Sequence, residues 1–163
     1  MPTEATASAW DRLRSVLRGT LVVPTDDTYS TARRVWNGRI DRRPAAVARR
    51  ADAADVRACV RFARERDLRL AVRGGGHAVA GLAVCDGGLV VDLSRMKGVR
   101  VDPRARVATV EPGATLGDLD HATQVFGLAT PTRRTSAAAI TTSRRRRRAR
   151  SDPHPRRGGR RRR

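Results

Sequence analysis

Apolar positions along the first stretch of the chain recur at helical spacing. Between Glu4 and Arg18, Trp10, Leu13, Val16 and Leu17 share one helical face, and Gly19 follows where a left-handed residue closes a helix. The stretch after it breaks at Pro24, and Trp36-Asn37-Gly38 offers a turn before a short strand around Ala45 to Arg49. From Asp52 to Arg66, Val56, Cys59, Val60 and Ala63 follow an i, i+3, i+4, i+7 pattern; Asp52 is placed to cap and Asp55 suits the positive first turn. Three β-rich runs come next, at residues 68–73, 88–93 and 106–113, each bounded by Gly or Pro. A second amphipathic helix starts at Thr115, with Asp118 completing a short capping box, Leu116, Leu119, Ala122 and Phe126 as its apolar stripe and Gly127 as its stop. From Ala45 onward the order is therefore β, α, β, β, β, α. This predicts an α+β domain, a small sheet flanked by helices, without the regular alternation of a doubly wound sheet.

From Thr132 the pattern stops. Residues 132–163 have no sustained period, Ile140 as their only sizeable apolar side chain, and 14 arginines against the single acid Asp152, so disorder is predicted there. The formal charge of +19 is thus largely a property of the tail; residues 1–131 carry 21 basic and 15 acidic side chains. Three segments follow: an N-terminal helix (1–19), a domain (20–131) and the tail (132–163). No apolar run has secretory or membrane-spanning length, so a cytoplasmic protein with no membrane partner is the expectation. Cys59 and Cys85 lie 26 positions apart without CxxC spacing, which favours packed, reduced thiols and excludes a zinc motif.

The chemistry concentrates at Gly74-Gly75-Gly76-His77, directly after the first of the three β-rich runs. Three successive glycines at a strand end point to positive φ angles or to a ligand that touches the backbone. Inward-turned N–H groups form a nest for an anion such as phosphate. Two familiar phosphate loops fail on the letters: a Walker loop meets Leu82 where its lysine belongs, and GxGxxG from Gly74 meets Val79 at its last glycine.

The linked stretches "VWNGRIDRRPAAVAR", "DVRACVRFARERDLRLAVRGGGHAVAGLAVCDGGLVVDLSRMKGVRVDP" and "VEPGATLGDLDHATQVFGLATP" resemble, in order and spacing, the FAD-binding domain of the vanillyl-alcohol oxidase (PCMH) type, nearest to berberine-bridge-enzyme-like oxidases. The match covers about residues 20–131. The resemblance implies FAD as cofactor, its pyrophosphate held on backbone N–H groups of the RGGGH loop and its isoalloxazine bonded covalently through His77. The implied contact set is Arg73, Gly74, Gly75, Gly76, His77, Ala78, Gly81 and Asp92. Relatives commonly carry Ser or Asn where Ala78 stands, so one side-chain hydrogen bond to the cofactor is lost. Asp92 and Ser94 can assist the loop, although an aspartate at a strand end is also a common turn residue. Cys85 is read as a packed thiol and His121 as solvated.

In relatives a glycine-rich stretch, a second FAD subdomain and a substrate domain follow "FGLATP"; here the arginine tail stands in their place. The expectation is an N-terminal piece of a flavin-dependent oxidoreductase acting on a small molecule, inactive by itself, with a tail of the kind a shifted reading frame produces. The alternative is a non-enzymatic polyanion or nucleic-acid binder working through the tail. No aromatic side chain lies within the tail to stack on bases.

Overall fold

The computed structural model describes residues 4–49 and 52–130. The elements are α1 (Glu4–Val16), β1 (Thr20–Val22), α2 (Tyr29–Ala32), β2 (Ala46–Arg49), α3 (Ala53–Glu65), β3 (Leu70–Arg73), β4 (Leu89–Asp92), β5 (Val99–Asp102), β6 (Val107–Val110) and α4 (Leu116–Gln124). The mixed helix-and-sheet architecture agrees with the α+β expectation. The tail at 132–163, for which disorder was predicted, lies outside the described residues.

Four strands form one sheet in the order β1-β2-β4-β3, with β1 antiparallel to β2 and both β2 and β3 parallel to β4. Side chains alternate across it with period two, so each strand feeds two cores. Leu21, Ala46, Ala48, Leu89 and Val91 pack on one face under α1 and α3, with Trp10, Leu13, Cys59, Phe62 and Ala63. Val22, Val47, Ala71 and Val90 pack on the other, covered by Ala32, Val84 and Cys85, with Tyr29, Val35 and Ile40 half-buried around them. A helix thus carries the chain from β2 to β3, whereas the parallel connection from β3 to β4 is made by the irregular glycine-bearing segment 74–88. That segment is one lid of the second core, which fixes its path over the sheet. A two-stranded antiparallel sheet, β5-β6, follows, with α4 against it.

The predicted helices form, and each departs from its predicted face at one position. Phe62, not Val60, enters the core from α3: the Trp10 and Phe62 rings lie 5.1 Å apart and the Arg66 guanidinium covers the Phe62 ring, while Val60 stays exposed. In α4, Thr123 is buried and Phe126 is half exposed, because the helix ends at Gln124 and Gly127 takes φ +63° just beyond it. In α1, Trp10 and Leu13 are buried but Val16 is exposed. Gly19 is not left-handed; its N–H and that of Arg18 are held by the buried Asp55 carboxylate, each at 2.9 Å. Asp55 therefore ties the α1–β1 turn to α3 besides sitting in a helical first turn. Asp52 caps α3 through Ala54 and Asp55 N–H, and Thr115 with Asp118 forms the full capping box of α4, both as predicted. Three elements add to the predicted order: β1, α2 and β5, all of four residues or fewer.

Candidate functional site

The carboxyl ends of β3 and β4 lie side by side, with Arg73 paired in register to Asp92. Ligands of open α/β sheets bind outside the carboxyl ends of parallel strands. Here both end residues are buried, and the Arg73 Nη2 donates to Asp92 Oδ2 at 2.6 Å. The Asp92 Oδ1 accepts from Ser94 N–H at 3.0 Å, so Ser94 does assist this end of the sheet. Burial alone would raise the Asp92 carboxyl, yet the hydrogen bond and charge of Arg73, with Ser94, hold it below the usual carboxylate range. The remaining Arg73 Nη1 reaches across to the Arg34 carbonyl at 3.0 Å. In the protein, then, these two side chains engage each other and the backbone around the loop.

The glycines leave β3 directly above this pair. Gly76 is buried at φ +73°, a conformation that favours glycine, and its carbonyl accepts from Trp36 N–H at 3.2 Å. Gly81 is also left-handed, at φ +70°, and a Cβ there would stand 2.9 Å from the Ile40 Cδ1. His77 is half-buried and Ala78 exposed. Among the described residues, no carbonyl accepts from the backbone N–H of Gly74, Gly75, Gly76, His77 or Ala78. The run without a carbonyl acceptor continues through Val79 and Ala80, and the N–H on the buried Gly76 is free to serve a bound anion, which is compatible with a nest.

A second segment, residues 34–40, runs alongside this loop and was read from the sequence only as a turn. The turn is present, closed by Ile40 N–H on the Asn37 carbonyl at 2.9 Å. Its contacts with the glycine loop advance in step: Arg34 O with the Arg73 side chain, Trp36 N–H with Gly76 O, Asn37 Nδ2 with Val79 O at 3.1 Å, and Ile40 against Gly81. Trp36 itself projects outward, 69% exposed, with its ring centroid 5.7 Å from that of His77. Nothing in the local sequence pattern announces this pairing of segments about 40 residues apart. The "VEPGATLGDL" stretch also reaches the site: Gly113 N–H bonds Met96 O at 2.8 Å, and a Cβ on Gly113 would fall 2.1 Å from the Leu93 carbonyl, so only glycine fits beside the end of β4.

Two candidates stay apart from the site, as read. Cys85 is buried with its Sγ 3.8 Å from Arg69 O, and burial pushes its thiol up. His121 is exposed on α4. Among the described residues no group of three or more His, Cys, Asp or Glu could hold a metal ion, and no helix is long and apolar enough to cross a membrane.

The arrangement leaves room for a phosphate-bearing ligand at the loop, and comparisons with known proteins give the family. Residues 44–142 match the FAD binding domain family. The chain is 36% identical over 116 residues to (R)-6-hydroxynicotine oxidase of Paenarthrobacter nicotinovorans, covering 71% of this chain and 25% of that protein. Among solved structures it is similar to the carbohydrate oxidase of Microdochium nivale, with TM-score 0.70 and 27% identity over 81% of this chain and 29% of that one. It is similar also to the BBE-like 1 protein of Physcomitrella patens, with TM-score 0.65 and 30% identity over 72% of this chain and 26% of that one. The chain thus spans about a quarter of the length of the relatives it matches. The match over residues 44–142 makes the chain a member of the FAD binding domain family, and its glycine loop lies at the carboxyl ends of the parallel strands of that domain.

Proposed function

We propose that residues 73–81 form the pyrophosphate cradle of an FAD site in a flavin-dependent oxidoreductase. The observation that carries this reading is the run of N–H donors from Gly74 to Ala78 without a carbonyl acceptor among the described residues. Gly74, Gly75 and Gly76 bring the backbone close to the phosphates, and Gly76 and Gly81 supply the left-handed turns that aim the loop. Arg73 and Asp92 act beneath it: their buried ion pair and the bond to Arg34 O fix the loop's root, so they hold the cradle in shape. His77 stands at the loop's exit, and its imidazole is the group that would carry a covalent attachment to the flavin, since a neutral imidazole is a competent nucleophile.

When bound, FAD supplies hydride acceptance from a substrate and passes the electrons on to a second acceptor. The chain's own contribution is binding and orientation. The substrate class proposed is a small organic molecule, on the strength of relatives named for a hydroxynicotine and a carbohydrate. We assign catalysis, including the residue that takes the substrate's proton, to the further length that the relatives have, and we expect the chain alone to be inactive. A cytoplasmic location is kept as part of the proposal; the two buried thiols accord with a reducing compartment.

The test is incubation of the chain with FAD, followed by equilibrium binding and acid precipitation. The wild-type chain should bind FAD and retain flavin in the acid pellet, whereas His77→Ala should keep dissociable FAD and lose the acid-stable fraction, because the cradle is backbone. Acid-stable flavin in His77→Ala would remove His77 from its role. No affinity for FAD at millimolar concentration would remove the cradle itself.

A further inference from the structure

We propose that Trp36 is a positioning residue for His77: its indole orients the imidazole toward the flavin and thereby sets the rate of covalent attachment. The inference rests on the FAD reading of the glycine loop and adds to it a residue outside that loop.

The argument starts from what Trp36 does not do. Its side chain is 69% exposed and belongs to neither buried core, so it adds little to the burial that holds the fold. Its backbone N–H already fastens segment 34–40 to Gly76 O, a bond that any residue other than proline would make. An exposed indole is a marked feature in a chain with only 3% aromatic residues. What the indole does meet is one ring, that of His77, at 5.7 Å between centroids and 39° between planes, within the range of aromatic pairing.

The backbone around both rings is fixed. The Trp36 N–H bond to Gly76 O sits one residue before His77, the Arg73 bond to Arg34 O lies two residues before Trp36, and Asn37 Nδ2 holds Val79 O two residues beyond His77. With the two Cα positions set, the torsions of the His77 side chain are the remaining freedom, and the indole blocks part of their range. Covalent attachment joins one imidazole nitrogen to the flavin methyl carbon, breaks one C–H and the imidazole N–H bond with both protons going to solvent, and leaves the flavin two electrons reduced until dissolved dioxygen takes those electrons to give hydrogen peroxide. The bond-forming approach requires the nitrogen to be held at that one carbon, a demand that loose torsions meet slowly.

The experiment compares wild-type, Trp36→Ala and Trp36→Phe chains in two measurements. Without flavin, the carbon-bound ring protons of His77 should resonate upfield of those of the exposed His121. That difference should collapse in Trp36→Ala and persist in part in Trp36→Phe. With FAD, Trp36→Ala should slow the appearance of acid-stable flavin by about tenfold or more, leave dissociable FAD binding within a few fold, and be rescued by Trp36→Phe. Equal attachment rates in wild type and Trp36→Ala overturn the inference, as do His77 ring protons that Trp36→Ala leaves unmoved. A wild-type chain that takes up no FAD overturns the FAD reading, and this inference with it; a wild-type chain that attaches flavin at the same rate as Trp36→Ala overturns the inference alone.

Discussion

Removing one member of the Arg73–Asp92 pair should destabilise the protein far more than an ordinary ion pair would. The two side chains are 8% and 5% exposed, and Asp92 Oδ2 lies 2.6 Å from Arg73 Nη2. Exposed pairs contribute about 0–1 kcal/mol. Breaking a buried pair leaves a charge in low dielectric and costs about 3–5 kcal/mol. Domains of this kind are stable by only about 5–15 kcal/mol, so Arg73→Met or Asp92→Asn should remove a large share of the total. Because Arg73 also holds Arg34 O, its loss loosens segment 34–40 as well. The double variant Arg73→Met/Asp92→Leu leaves no buried charge, and should recover at least about half of the loss. The pH dependence has a definite sign. The folded Asp92 carboxyl lies below its unfolded value, so the pair stabilises the fold above about pH 4 and that contribution disappears as pH falls through the folded value. Urea unfolding followed by far-ultraviolet circular dichroism at pH 7 and pH 3 measures both effects. Either single variant within about 1 kcal/mol of wild type at pH 7, or a wild-type advantage that grows on acidification, would refute the reasoning.

Gly81→Ala forces a left-handed alanine at a cost of about 1–2 kcal/mol and presses on Ile40 Cδ1, Cγ1 and Cγ2; in an Ile40→Ala background, which lacks all three atoms, the same substitution should cost only the left-handed part, as thermal unfolding would report. Gly113→Ala places a methyl 2.1 Å from the Leu93 backbone oxygen, which cannot rotate away, so a loss of about 3 kcal/mol or more is expected by urea unfolding, and a wild-type midpoint would contradict the packing at β4. Thr115→Ala removes the cap of α4 and should cost about 1 kcal/mol, with Thr115→Ser close to wild type in the same assay.

Capping was legible because it is local. Asp52 and Thr115 with Asp118 sit within three residues of the donors they satisfy, so the letters alone identify both helix starts. Helix faces were legible only roughly, since Phe62 and Val60 are both apolar and the choice between them depends on Trp10 in another helix. β1 and β5 are strands because of their partners, Ala48 and Thr109 among them, and a run of three or four residues carries too little period to show this beforehand. The glycine loop was legible through its letters and their resemblance to a family. Its support was legible only in part: Asp92 and Ser94 were named as assisting the loop, but the pairing of Arg73 with Asp92 comes from strand register and that of Trp36 with His77 from the path of a loop, neither of which leaves a mark in local sequence.

The account stands most directly on where FAD touches the chain. Backbone amide shifts of the ¹⁵N-labelled protein, followed as FAD is added, read each N–H separately and tolerate weak binding. The largest movements should fall on Gly74, Gly75, Gly76, His77 and Ala78, whose N–H groups no carbonyl among the described residues engages, with α1 and α3 unmoved. Shifts centred on the groove between Leu13 and Phe62, or no shifts at millimolar FAD, would contradict it.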